Sequence, residues 1–258
     1  MGNGNFFATI WMFLLPLCAI IVPIWLGQRY GLYIKKNSGE IPDAPLSSMV
    51  GATLGLFAFM LAFIFQLVGS RYEKRKELLL SEVSDIRTSY LYAGLIPEPL
   101  RSNSRNMIRT YVDIRVEFSR DRSKFEEVRF RSEKILDSLW HYSEILAQQD
   151  RSSEAYSLFT ASISSLVTLF NQRITVGLIT RLPVAILYVL SLVAFFSMLT
   201  LGYQFGTAGG VRNAVIIVLG ITFSVVMWLI FALDRPETGL ISVNWKPMII
   251  LQEQLHQR

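Results

Sequence analysis

A chain of 258 residues that is 52% hydrophobic and only 17% charged falls short of the charged share of about 25% usual for a soluble globular domain, which points to an integral membrane protein. Its net charge of +5 and pI of about 9.4 come without a nucleic-acid recognition motif, and membrane proteins become basic through the cytoplasmic bias of Lys and Arg alone. A nucleic-acid partner is therefore not expected, and the single cysteine, Cys18, rules out an intrachain disulfide.

Phe6 to Leu26 is a charge-free apolar run, long enough to cross a hydrocarbon core of about 30 Å at about 1.5 Å per residue. A cleaved signal peptide is the competing reading, but MGNGN supplies no basic n-region and the run is too long. Pro16 and Pro23 read as tolerated within this span. From Gly27 to Leu46 the chain turns polar, with Lys35, Lys36, Asn37-Ser38-Gly39, Pro42 and Pro45. That segment is expected to be a loop, with Ser47 or Ser48 capping the next helix.

The second span runs from Met49 to about Val68 and continues, with no Gly-Pro break, into the cluster Arg71, Lys74, Arg75 and Lys76. Helical character persists to about Ala93, before the breaker Gly94-Leu95-Ile96-Pro97-Glu98-Pro99. Three amphipathic segments follow. Met107, Tyr111, Ile114 and Phe118 mark the first; Phe125, Val128, Ile135, Leu139, Tyr142 and Leu146 mark the second. In the third, from about Ser152 to Leu178, Ala155, Leu158, Ser162, Leu166, Leu169 and Phe170 form the buried side. Two further spans, about Val184 to Tyr203 and Val215 to Leu233, flank the turn GYQFGTAGGVRN. The last stops at Asp234-Arg235-Pro236. The tail beyond carries an apolar patch, Met248 to Leu251, too short to span and expected to dock on the helical region.

The expected fold is all-α, with four transmembrane helices and a cytoplasmic helical bundle between spans two and three. Residues 1–69 hold the first two spans and an outer loop, 70–182 the cytoplasmic helical region, 183–233 the third and fourth spans, and 234–258 a cytoplasmic tail. The positive-inside count decides the orientation: most Lys and Arg lie between 70 and 182, leaving Arg29, Lys35, Lys36 and Arg212 outside. Both termini are then cytoplasmic, and membrane lipid is the first expected partner.

No enzyme signature is present: G-x-S-x-G, H-E-x-x-H, C-x-x-C and the phosphate-binding G-x-x-x-x-G-K-[ST] are all missing. His141 and His256 lack companions at ligand spacing, so neither metal nor cofactor is expected. The spans carry no Asp, Glu, Lys, Arg or His, which disfavours a proton-coupled transporter. The second span has more to say. At about 100° per residue, Gly51, Gly55, Ala58, Ala62 and Gly69 share one stripe, with Phe59, Phe63 and Gln66 beside it. Small residues at this spacing permit close helix approach in lipid. Two readings stay open: packing against spans one, three or four, or several copies of this helix around an axis. Phe59 and Phe63 facing such an axis would form a hydrophobic constriction with anion-tolerant aromatic edges.

The stretch FMLAFIFQLVGSRYEKRKELLLSEVSDIRTSYL resembles the bestrophin-like domain family of unknown function, whose members share a G-A-T-L-G-L span leading into S-R-Y-x-x-R. FALDRPETGLISV resembles that family's L-D-R-P-x-x-G-L-I segment. More distantly, the chain is similar to the bestrophin anion channels. The resemblance implies a homopentameric channel for small inorganic ions, its central neck lined by the second span of each subunit at Gly55, Phe59 and Phe63, with Gln66 adjoining. It departs in two places. Only Asp234 and Glu237 remain where the calcium clasp of animal bestrophins needs an acidic run, and Gln66 to Ser70 replace the Asn-rich turn before Tyr72.

Arg71, Lys74 and Arg75 at the exit of the span are candidates for the pore mouth. Arg101, Arg105 and Arg109, one helical turn apart, are either a solvated or salt-bridged face or a cationic vestibule that concentrates anions. The function expected is a bestrophin-like oligomeric channel of a bacterial inner membrane, anions favoured over cations. The alternative is a non-conducting membrane scaffold or sensor whose helical region holds a cytoplasmic partner.

Overall fold

The computed structural model describes residues 3–38, 43–175, 182–210, 213–234 and 243–257. They are helical throughout, with no strand among the described residues. Eight α-helices follow in order: α1 (Asn3–Ser38), α2 (Asp43–Tyr92), α3 (Leu100–Arg120), α4 (Phe125–Gln149), α5 (Glu154–Ile174), α6 (Val184–Thr207), α7 (Asn213–Asp234) and α8 (Lys246–His256). Two compact units emerge. One comprises Met1–Tyr72 and Arg181–Ser242, the other Glu73–Thr180 and Val243–Arg258, so α2 contributes its first part to one and its second part to the other.

In the first unit α1, α2, α6 and α7 are each long and apolar enough to cross a membrane. Their outward sides carry exposed large apolar residues, among them Leu15, Tyr188, Leu192 and Val218, the composition a lipid-facing surface requires. The inner cluster holds Ile20, Ile24, Phe57, Met198 and Ile230. Helix α1 packs along α6 and also meets α7.

The contact between α1 and α6 corrects two sequence expectations. Residues from Gly27 onward do not leave the helix: α1 continues to Ser38, and α6 continues through GYQFG to Thr207. The cause is a reciprocal pair of small-residue motifs, Gly27 with Gly31 on α1 and Gly202 with Gly206 on α6. A methyl group at Gly27 would overlap the Leu199 carbonyl oxygen, and one at Gly202 the Ile24 carbonyl oxygen. Backbones at that separation hold the helices together in lipid, where apolar side chains gain nothing by leaving their surroundings. The real turn is shorter than expected. It falls at Gly209 and Gly210, with φ of 104° and 90°, values that glycine alone adopts without strain. Helix α2 likewise begins at Asp43, so Ser47 and Ser48 lie within it instead of capping it.

The second unit follows the amphipathic periods. Ile86, Ile108, Tyr111, Leu139, Phe159 and Met248 share one core, to which α2, α3, α4, α5 and α8 all contribute. Helix α8 buries Met248, Leu251 and Leu255 and packs against α3. The third amphipathic segment is helical to Ile174; its end at Leu178 lies outside the described residues, as do Arg181, Arg212, Arg235 and Glu237. Helix α5 starts at a Ser153 cap whose hydroxyl accepts from the Tyr156 amide. Ser153→Ala should lower the thermal stability of this unit by about 1 kcal/mol, the usual worth of such a cap; an unchanged melting profile would show that the cap is not formed.

Candidate functional site

The first part of α2 sorts its residues by side. Val50, Phe57, Leu61, Ile64 and Val68 are all at most 5% exposed. The Phe57 ring meets Phe223 of α7 at a centroid distance of 5.4 Å, and Ser197 of α6 donates to the Thr53 carbonyl at 3.0 Å. The other side has no partner among the described residues of its own unit. Phe59 is 69% and Phe63 62% exposed, and Gly55, Ala58, Ala62 and Gln66 are exposed beside them.

Glycine surroundings separate the two small-residue patterns. Built Cβ atoms at Gly51, Gly55 and Gly69 meet nothing within 4 Å, whereas those at Gly27, Gly31, Gly202, Gly206 and Gly220 all strike a neighbouring helix. The sequence left open whether the α2 stripe packs against spans one, three or four. Within this unit none of those helices occupies the positions of its glycines.

At the exit of the span, Arg71 is half-buried, and its guanidinium stands 3.8 Å from the Asp234 carboxylate at the end of α7. Asp234 is buried and also accepts from the Leu182 amide at 3.2 Å. Those contacts engage the carboxylate within the fold, so it does not fit a calcium clasp. No group of three or more acidic, His or Cys side chains among the described residues could hold a metal ion. Lys74 lies exposed in an i,i+3 pair with Glu77 at 2.9 Å, and Arg75 is half-buried.

Arg101, Arg105 and Arg109 do share a face of α3, and each is turned into its own unit. Arg101 donates to the Ile96 carbonyl at 2.9 Å. Arg105 lies 5.0 Å from the Tyr90 ring centroid, against Gly94. Arg109 donates to the Tyr90 hydroxyl at 2.7 Å and to the Leu255 carbonyl at 2.9 Å, tying α3 to both α2 and the tail helix.

A charged cluster that the sequence reading missed lies in the core of this unit. Glu82 of α2 is fully buried. It pairs with Arg115 of α3 at 3.2 Å and with Arg173 of α5, and accepts from the Tyr111 hydroxyl at 2.7 Å. The Arg173 and Arg115 guanidinium carbons lie 5.1 and 5.8 Å from the centre of the Trp245 ring, a placement that suits cation–π attraction. Burial pushes the Tyr111 hydroxyl up to about 12, with Arg115 pulling the other way. Burial also lowers Arg115 and brings Arg173 down to about 9, which leaves Arg173 cationic at neutral pH. A signal for the cluster was present: Glu82 falls in step with Leu79, Ile86 and Tyr90 on the apolar side of α2, and an acid at a core position calls for a buried cation.

A family model for the bestrophin-like domain matches residues 43–248. The chain belongs to the bestrophin-like family. Among solved structures, this bestrophin-like chain is similar to crystal structures of mutated forms of a bacterial bestrophin homologue from Klebsiella pneumoniae. One matches at 16% identity and a TM-score of 0.62, covering 96% of this chain and 98% of that one. Two others match at 17% and 16% identity with TM-scores of 0.65 and 0.66, each covering 96% of this chain and 97% of theirs. At that identity the likeness establishes the fold. No curated protein sequence matches the chain.

Proposed function

We propose that this bestrophin-like protein is an oligomeric channel for small inorganic ions, anions favoured, in which α2 of each subunit lines a shared central neck. Gly55, Phe59, Phe63 and Gln66 line the neck. Arg71, Lys74 and Arg75 stand at its mouth, while Arg101, Arg105 and Arg109 contribute positive potential to a vestibule even though their guanidinium groups are held in place. The second unit and both termini face the cytoplasm of a bacterial cell, and five subunits surround the axis, as the family resemblance implies.

One observation carries this reading. The face of α2 that bears Phe59, Phe63 and the open glycines is left vacant by the described residues of its own unit, whereas the places beside Gly27, Gly31, Gly202 and Gly206 are filled by the backbones of α1 and α6. Exposed phenylalanines alone would suit lipid equally well. Glycines with open space beside them suit a tightly packed ring of identical helices, and rings of Phe59 and Phe63 inside it form an apolar constriction that gates by dewetting.

Recording from the purified protein in planar bilayers under a KCl gradient tests this. Wild type should pass current with an anion-selective reversal potential, and Phe59→Ala with Phe63→Ala should raise the current by widening and wetting the neck. Silence from both proteins would remove the pore and leave the scaffold reading, in which the helical unit captures a cytoplasmic partner. Particle imaging in detergent adds an independent check, since a monomer has no axis.

A further inference from the structure

Away from the vacant face of α2, a half-open cleft of about 350 Å³ lies between the second part of α2 and the tail helix α8. Tyr90, Leu91, Leu251 and Leu255 make its floor, and Arg87 and Gln254 stand among its lining side chains. The volume falls in the range of small-molecule sites, and the lining divides almost evenly between apolar and polar groups. None of the lining side chains is acidic.

Charge around the cleft is unbalanced. Arg87 is exposed and, among the described residues, makes no hydrogen bond or ion pair. Arg105 and Arg109 rest on the Tyr90 ring at 5.0 and 5.4 Å, and Arg109 binds the Tyr90 hydroxyl and the Leu255 carbonyl from behind the floor. No carboxylate among the described residues lies within ion-pairing distance of any of these three guanidinium groups. Other arginines of the unit face carboxylates, Arg115 and Arg173 at Glu82, Arg129 at Glu126 and Arg131 at Glu117, while Arg120 and Arg151 stand exposed on the surface with no carboxylate partner among the described residues and do not line this cleft. A cleft that sets the free Arg87 guanidinium beside leucine side chains, with the cationic Arg105 and Arg109 next to its Tyr90, suits an anion with an apolar body.

We infer that the α2–α8 cleft binds a small aliphatic carboxylate. The planar guanidinium of Arg87 donates to both carboxylate oxygens, the geometry that arginine supplies and a lysine does not. The Gln254 amide is the second donor, and the alkyl chain lies on Leu91, Leu251 and Leu255. A bare halide would leave the apolar floor uncovered, and a multiply charged phosphate would bring more negative charge than the single lining arginine balances. Because α8 forms one wall, the ligand also holds the tail helix against α2. The inference is independent of conduction, so its failure would leave the pore reading untouched.

Calorimetric titration of the full-length protein in lipid nanodiscs with sodium hexanoate, up to about 10 mM, is the test, an upper limit chosen to catch even a millimolar site. Saturable heat is expected, together with slowed amide exchange in 246–256. Hexanol should give no saturable heat, and inorganic phosphate should bind at least about tenfold more weakly than hexanoate. Arg87→Gln, at an exposed position without intramolecular bonds, should fold normally and weaken hexanoate at least about tenfold, the lower end of what a charge-assisted hydrogen bond is worth. Gln254→Ala should weaken it less. Absence of saturable hexanoate heat overturns the site. So do equal affinities for hexanoate in wild type and Arg87→Gln, or hexanol or phosphate binding as tightly as hexanoate.

Discussion

Replacing Glu82 with Ala should destabilise the helical unit by about 3–5 kcal/mol, the usual consequence of removing one partner from a buried ion pair. With the carboxylate gone, Arg115 and Arg173, 9% and 14% exposed at their side chains, face each other in the core without a counter-ion. The Tyr111 hydroxyl, which donates to Glu82, loses its acceptor as well. A loss of that size is a large part of the roughly 5–15 kcal/mol that holds a typical domain folded. Glu82→Gln keeps an acceptor for Tyr111 and should still lose most of the stability, because the charge is what the two guanidinium groups require.

The discriminating variant removes the whole cluster. Leu at 82 with Met at 115 and 173 should recover much of the loss, since well-packed apolar replacements of buried ion pairs are often neutral or better. Thermal unfolding in detergent, with limited proteolysis to localise the change, reads all three. A Glu82→Ala protein melting together with wild type would show that the three charges do not meet in the folded protein.

The second large effect concerns glycines that look alike in sequence and differ in space. Gly202→Val should separate α1 from α6, because its Cβ would overlap the Ile24 backbone, and a backbone has no rotamer through which to yield. Overpacking ordinarily costs about 1–3 kcal/mol and exceeds that where neighbours are rigid, so the variant should accumulate poorly in membranes and elute as aggregate. Gly55→Ala makes the opposite case. Open space surrounds Gly55, and helix propensity alone favours Ala by about 0.8–1 kcal/mol. A single subunit should therefore fold at least as well, and any defect should show only in assembly or current. Gly55→Ala failing like Gly202→Val would mean that the α2 stripe packs within its own chain; both variants behaving as wild type would remove the close α1–α6 contact.

The elements were largely legible because their signals are local. Apolar runs free of charge marked four membrane-length helices, and a helical period of apolar side chains marked α3, α4 and α5. The boundaries were misread where a local rule met a distant partner. Gly27 and Gly31, among polar neighbours, read as a loop, yet they are helical because α6 presents Gly202 and Gly206 opposite them. The same limit applied to charge. Glu82 stood visibly in an apolar period, but its counter-ions come from α3 and α5, and no spacing along the chain announces that pairing. Arg101, Arg105 and Arg109 were legible as a row; that they bind Ile96, Tyr90 and Leu255 was not.

By itself, then, the sequence determined that this is a helical membrane protein with a charged helical region after its second span, and its motifs carried the bestrophin-like family. Length, apolarity and period are properties of a stretch of chain, and they suffice for that. Only the tertiary structure decided which glycines are filled and which stand open, which arginines are neutralised, and where an unpaired Arg87 meets the tail helix. Each of those depends on which helices come within a few ångströms of one another, and packing of side chains from distant segments sets that distance.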